Sequence, residues 1–124
     1  MPEQLELRIE LFPADLDRLV DFYVRVLRFE LVSDRRKGSE PHVSLRRGAV
    51  KIGAVPAWLP VDSAARAVPQ GVELVLEVEN LDAERDAVVA AGWPLESDVA
   101  LQPWGLSDFR IFDPDGHYIR FTTR

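Results

Sequence analysis

The sequence contains an internal repeat, and this repeat restricts the possible folds more than any other feature of the chain. Residues 5–11 alternate between apolar and charged side chains, which predicts a strand with one buried face. An acidic motif at 15–17 then predicts a capped helix start, and apolar residues follow it at helical spacing. The same order recurs later, where an alternating run at 72–78 precedes a second helix start at 80–82. The chain therefore consists of two copies of one strand–helix pattern.

Short apolar segments after each helix complete the two copies. Strands are predicted at 29–32, 42–45 and 49–54 in the first copy, and at 94–97, 107–112 and 117–123 in the second. Gly92 is predicted to end the second helix, and the segment 113–116 to form a tight turn. We therefore predict an α+β fold in which two βαβββ modules stand in tandem within a single domain, 1–124. Module one covers 4–54, a proline-marked linker covers 55–71, and module two covers 72–124.

Composition excludes several classes of function. The 124 residues include no cysteine, so disulfides, thiolate metal sites and a cysteine nucleophile are excluded. Acidic residues outnumber basic ones by 21 to 15, and the net charge of −6 argues against a nucleic-acid-binding protein. Charged residues and prolines interrupt every apolar run, so we expect no membrane-spanning segment. The N-terminal residues do not resemble a signal peptide, so we expect a cytoplasmic location.

The C-terminal part of the chain carries a family signature. Pro103-Trp104-Gly105, Phe109, the turn at 113–116 and the segment 119–121 together resemble the vicinal oxygen chelate superfamily, which includes glyoxalase I, extradiol dioxygenases and bleomycin-resistance proteins. The first helix is similar to that family too, although Arg28 stands where a glycine usually follows it. The Pro-Trp-Gly element resembles the bleomycin-resistance branch most. The resemblance implies a curved mixed sheet around a cleft, and a homodimer.

The same resemblance identifies the positions at which metal-using relatives hold their cation. In this chain the matching residues are Arg8, Glu73 and Arg120. An arginine stays protonated and offers no lone pair to a metal, and one carboxylate falls short of the three protein ligands of a catalytic centre. The two histidines, His42 and His117, are not placed to replace these ligands. We therefore expect no metal and no other cofactor.

Charged and aromatic side chains at these positions predict a ligand site instead. Strand parity places Arg8, Glu10, Glu73, Arg110 and Arg120 on the sheet face that the family fold turns toward its cleft. An arginine there either belongs to a structural ion-pair network or presents a guanidinium to a ligand carboxylate, phosphate or amide. The remaining predicted ligand-binding residues lie outside this set: His42 in a middle strand, and the loop residues Trp58 and Trp104, whose indoles are suited to stacking on a planar ligand.

Three hypotheses about function remain open from the sequence. The first is a metal-free protein that sequesters a small molecule, such as an antibiotic, in a cleft lined by Arg, Glu and Trp. The second is a lyase, isomerase or dioxygenase of the same superfamily, with Glu73 as its catalytic residue and either no metal or a nonstandard site built from Glu73 and His42. The third is an interaction module without a small-molecule ligand.

Overall fold

The structure is a computed structural model that describes residues 4–66, 69 and 72–123. The chain divides into two compact units, Met1–Val61 and Asp62–Arg124. The boundary between them falls inside the segment 55–71 that the sequence assigns to a linker. Each unit contains one four-stranded sheet, so the prediction of an α+β fold with tandem βαβββ modules is confirmed.

Over its described residues, 4–61, the first unit contains four strands and one helix. Its elements are β1 (Arg8–Leu11), α1 (Leu16–Asp21), which continues as a π-helical turn (Phe22–Val26), β2 (Glu30–Asp34), β3 (Val43–Arg47) and β4 (Val50–Ala54). The strand order is β1-β4-β3-β2, and β1 runs parallel to β4 while the other pairs are antiparallel. This parallel pairing follows from the helical crossover, which returns the chain to the sheet in the same direction.

The second unit repeats this arrangement. A short helix, α2 (Ser63–Arg66), precedes β5 (Leu74–Val78), α3 (Leu81–Ala90), β6 (Ser97–Leu101), β7 (Ser107–Phe112) and β8 (Tyr118–Thr123). The strand order is β5-β8-β7-β6, again with one parallel pair, β5 and β8. Its sheet is therefore the counterpart of the first one, strand by strand.

The predicted helix starts and turns are present. Asp15 caps α1 by accepting hydrogen bonds from the backbone N–H groups of Asp17 and Arg18, and Asn80 caps α3 through the N–H of Ala83. Gly92 follows α3 with a φ of 81°. Residues 113–116 form the predicted turn, closed by a hydrogen bond from the Gly116 N–H to the Asp113 carbonyl.

Each sheet buries one face in its own core. The first core contains Leu19, Phe22, Tyr23, Val43, Leu45 and Ile52, and the second contains Val88, Phe109, Ile111, Ile119 and Phe121. The rings of Phe109 and Phe121 stack with their centroids 4.9 Å apart. Because side chains alternate along a strand, the residues between these core positions point to the opposite face, where the predicted site residues lie.

Several predicted element bounds differ from the structure. Strand β1 begins at Arg8 instead of residue 5, and Leu5 and Leu7 before it are exposed. Strand β6 occupies Ser97–Leu101 instead of 94–97, because Pro94 lacks an N–H to donate and pairing with β7 starts only at Glu96, whose N–H donates to Arg110. Helix α2 lies within the segment predicted as a linker. Within the described residues no helix has the length and apolar character needed to cross a bilayer.

Candidate functional site

The first unit contains a concavity of about 750 Å³ on the face of its sheet that lies opposite the core. Its lining includes four residues that the sequence nominates as ligand contacts: Arg8, Glu10, His42 and Trp58. Glu40 and Ser44 also line the concavity, and neither was predicted. Ser44 follows from strand parity, since it lies two residues beyond His42, whereas nothing in the sequence distinguishes Glu40 from other loop carboxylates. The volume is within the range of roughly 300–1,000 Å³ that is typical of small-molecule sites.

The two charged residues of β1 form an ion pair at the edge of this concavity. Arg8 Nε lies 2.8 Å from Glu10 Oε1, and the two side chains are 64% and 40% exposed. Glu10 is the register partner of Gly53 on the parallel strand β4. A Cβ added to Gly53 would lie within 2.8 Å of both carboxylate oxygens of Glu10. The missing side chain at position 53 therefore provides the space that the Glu10 carboxylate occupies.

His42 and Trp58 contribute different chemistry to the concavity. His42 Nδ1 lies 2.9 Å from the carbonyl oxygen of Glu40. Because a carbonyl oxygen only accepts, Nδ1 must carry the hydrogen, and Nε2 of the neutral ring is left as an acceptor. Trp58 packs against the ring of Phe12 at a centroid distance of 5.2 Å, yet 82% of the residue remains exposed. The indole therefore presents most of its apolar surface to solvent.

The corresponding face of the second unit carries the other predicted residues in one charged cluster. Arg110 on β7 and Arg120 on β8 are register partners. Asp108 is fully buried, and its carboxylate accepts hydrogen bonds from Arg110 and from Gln102 Nε2, the latter at 3.1 Å. Arg120 Nη1 lies 3.9 Å from the same carboxylate. A buried carboxylate is costly unless it is paired, and here two guanidinium groups compensate its charge.

Arg120 lies between acidic and aromatic groups. Its Nε is 3.2 Å from Glu73 Oε1, and its guanidinium carbon is 5.7 Å from the centre of the Trp104 ring. The Nε atom is buried and makes no hydrogen bond to any described residue. The structure thus pairs Glu73 with Arg120, which is the ion-pair alternative that the sequence left open. It also places Trp104 against the same arginine, a contact that the sequence did not predict. Strand parity also places Asp108 on this face, but its contacts with Arg120 and with the loop residue Gln102 appear only in the structure.

Tyr118 and Asp108 determine the charge state of Arg110 in this cluster. The Tyr118 hydroxyl and the Asp108 carboxylate both raise the pKa of Arg110, so this side chain stays cationic. Burial raises the pKa of Tyr118, whose hydroxyl donates to Glu96 Oε2 at 3.0 Å. Arg110 therefore contributes a permanent positive charge to the cluster.

The residues at the family's metal positions do not suit a divalent cation. Arg8 is paired with Glu10 in one unit, and the Glu73 carboxylate faces the guanidinium of Arg120 in the other. A guanidinium repels a cation and offers it no lone pair. Across residues 4–66, 69 and 72–123, no group of three or more His, Asp or Glu side chains is arranged to hold a metal.

Two tandem βαβββ units, each with a polar sheet face opposite its core, define a protein of the glyoxalase fold. The chain belongs to the Glyoxalase/Bleomycin resistance protein/Dioxygenase superfamily, whose family model matches residues 7–121. The resemblance found in the sequence is thereby confirmed. None of the curated proteins matches the chain significantly in sequence.

Solved structures with this fold match nearly the whole chain. TioX from Micromonospora sp. ML1 is 25% identical over 96% of this chain and 98% of its own, with a TM-score of 0.77. UcmS2 is 20% identical with full coverage of both chains and a TM-score of 0.78. TnmS3, an antibiotic binding protein from Streptomyces sp. CB03234, is 21% identical over 99% of this chain and 98% of its own, with a TM-score of 0.70.

Proposed function

We propose that this protein binds a small organic molecule, such as an antibiotic, without a metal and without changing it covalently. The observation that carries the proposal is the concavity of about 750 Å³ on the first unit, with the exposed indole of Trp58 at its lining. Ligand sites are concave surfaces that combine aromatic side chains with a few polar groups, and an exposed indole there can stack on a planar ligand. TnmS3, which shares the fold, is an antibiotic binding protein.

The charged cluster of the second unit supports the metal-free part of the proposal. Where a metal-using relative needs lone pairs, this chain has the ion pair of Glu73 with Arg120, and Trp104 lies over the arginine. The opposite charges of such a pair compensate each other, so no bound metal cation is needed to neutralise the carboxylate. The outer face of the Trp104 ring remains accessible, since the residue is 56% exposed, and offers a second stacking surface.

The test is a thermal-shift panel combined with recovery of the ligand. Planar antibiotics, bleomycin-like glycopeptides, catechols and thiol adducts of glyoxals are compared with Zn²⁺, Ni²⁺, Mn²⁺ and Fe²⁺. A ligand that binds only the folded state stabilises it by about 2.7 kcal/mol at 100 times its Kd, which raises Tm by several degrees. We expect an organic ligand alone to give this shift, and mass spectrometry to recover it unchanged.

Matched variants connect the shift to the proposed surfaces. Trp58→Ala should reduce the shift, whereas Leu59→Ala, which removes a neighbouring exposed apolar side chain outside the concavity, should not. Stabilisation by a divalent metal, or recovery of a converted product, would support a superfamily enzyme instead. A shift that persists in Trp58→Ala would place the ligand elsewhere on the protein, and absence of a shift with every compound and metal of the panel would argue for an interaction module.

A further inference from the structure

We infer that the concavity of the first unit selects a planar aromatic ligand that carries a cationic hydrogen-bond donor, such as a protonated amine. This inference rests on the proposed function and names the ligand class for the same site. Its basis is the set of polar residues that line the concavity, whose side chains offer more acceptors than donors and carry more negative than positive charge.

The lining residues include two glutamates and one arginine. Arg8 is already engaged, since its Nε contacts Glu10 Oε1 at 2.8 Å. No described residue donates a hydrogen bond to the other oxygen of Glu10 or to the carboxylate of Glu40. The carboxylates therefore retain acceptor capacity and a net negative charge, which an incoming cation would satisfy through charge-assisted hydrogen bonds.

His42 adds a further acceptor to the same lining. In the neutral ring, the hydrogen bond from Nδ1 to the Glu40 carbonyl leaves the lone pair on Nε2. An anionic ligand would meet this lone pair and two carboxylates, and the single arginine that could bind it would first have to leave Glu10. A ligand that donates hydrogen bonds finds acceptors already in place.

Trp58 supplies the aromatic half of the recognition. Its ring packs on Phe12 and is otherwise exposed, so a planar ring system can stack on it. The negative face of an indole also attracts a cation within about 6 Å of its centre. Stacking and carboxylate contacts together favour a molecule that is both planar and positively charged.

The experiment uses three acridines that share a ring system and differ in charge: aminoacridinium, neutral acridone and acridine carboxylate. Their affinities for the full chain are measured by fluorescence polarisation at low and high salt. We expect aminoacridinium to bind at least about tenfold more tightly than the other two, the size of effect expected of one charge-assisted hydrogen bond. Its affinity should fall at high salt, because the carboxylates are partly exposed.

Three isosteric variants locate the charge effect. Glu10→Gln and Glu40→Gln should each weaken aminoacridinium binding roughly five- to tenfold and leave acridone binding unchanged. Glu30→Gln removes an equal charge from β2, outside the concavity, and should have no effect. Because both glutamates of the concavity lie at the surface, we expect all three variants to keep the Tm of the parent chain.

The possible failures are distinguishable. Equal or tighter binding of acridine carboxylate or acridone, lost in Trp58→Ala, would overturn the inference and leave the proposed function standing. Aminoacridinium could also bind most tightly and yet be weakened by Glu30→Gln as much as by Glu10→Gln. The preference would then come from the overall charge of the protein and not from the concavity, which would overturn the inference. Binding of none of the acridines would overturn it too, and the broader panel would then decide the proposed function on its own.

Discussion

The carboxylate of Glu10 lies over the α-carbon of Gly53, its register partner on the neighbouring parallel strand. Neither residue would attract attention alone, since one is a strand glutamate and the other a strand glycine. Their pairing determines where a negative charge lies in the concavity, because any side chain at position 53 would collide with the carboxylate. The glycine therefore acts on the site through the space it leaves.

Gly53→Ala tests this relationship. The added Cβ displaces the Glu10 carboxylate, which is the far end of a flexible side chain, so the change in the free energy of unfolding should stay below about 1 kcal/mol. Binding of aminoacridinium should nevertheless weaken about as much as in Glu10→Gln. Calorimetric titration and urea denaturation measure the two effects separately.

Gly48→Ala provides the control for that variant. Gly48 has a φ of 56° and no described atom within 4 Å of an added Cβ. Alanine there should cost roughly 1–2 kcal/mol of stability through backbone strain while leaving the affinity unchanged. If Gly53→Ala instead bound aminoacridinium like the parent chain, the position of the Glu10 carboxylate would not depend on the glycine.

The fold could be predicted from sequence because its signals are local and occur twice. Caps at Asp15 and Asn80, the glycine after α3 and the turn at 113–116 each specify an element boundary by their own chemistry. The predicted strand bounds are wrong where hydrogen bonding to a neighbouring strand, and not the local alternation of side chains, decides where a strand begins. Leu5 and Leu7 continue the alternation of β1, but β4 pairs with β1 only from Lys51 to Ala54, so they remain outside the strand.

Arg28 illustrates a departure from the family pattern with a measurable cost. It follows the π-helical turn with a φ of 60°, the left-handed conformation that favours the glycine usual at this position. Arg28→Gly should therefore be more stable than Arg28→Ala by roughly 1–2 kcal/mol, since both lose the side chain and only alanine keeps the strain. Urea denaturation of the pair measures this difference, and an alanine variant as stable as the glycine variant would contradict it.

Part of the candidate site could be predicted from the sequence, and the rest could not for physical reasons. Strand parity identified the face that carries Arg8, Glu10, Arg110 and Arg120, because alternation along a strand depends on sequence alone. Parity does not say which side chains meet across strands or in loops. The approach of Glu40 to His42 depends on the conformation of the loop before β3, and the enclosure of Asp108 depends on the register of β7 with β8.

Acid stability should depend on Asp98. The Arg85 guanidinium hydrogen-bonds both oxygens of Asp98, and this contact lowers the pKa of the carboxyl from 3.8 to about 2. Because the pKa is lower in the folded state, the stabilisation is present above about pH 4 and is lost as the pH falls toward 2. Asp98→Asn should therefore show a flatter decline of the free energy of unfolding across this range.

Arg85→Gln should flatten the curve similarly, because it removes the partner that lowers the pKa of Asp98. The double variant should add little to either single change, since both disrupt one interaction. High salt should reduce the difference between the parent chain and the variants, because the pair lies at the surface. If the free energy of unfolding fell with pH in the same way for the parent chain and for Asp98→Asn, the pair of Arg85 and Asp98 would not contribute to acid stability.

Gly116 combines strain with a close approach. It has a φ of 86°, and a Cβ there would collide with the backbone carbonyl of Ser63, at the start of α2. Gly105 has a φ of 94° but no described atom within 4 Å of an added Cβ. Gly105→Ala should therefore cost about 1 kcal/mol from strain alone, and Gly116→Ala more than about 2 kcal/mol, because backbone atoms cannot move aside as a flexible side chain can. Urea denaturation measures the free energy of unfolding of both variants. Equal losses would mean that α2 moves away from the turn at no cost in stability.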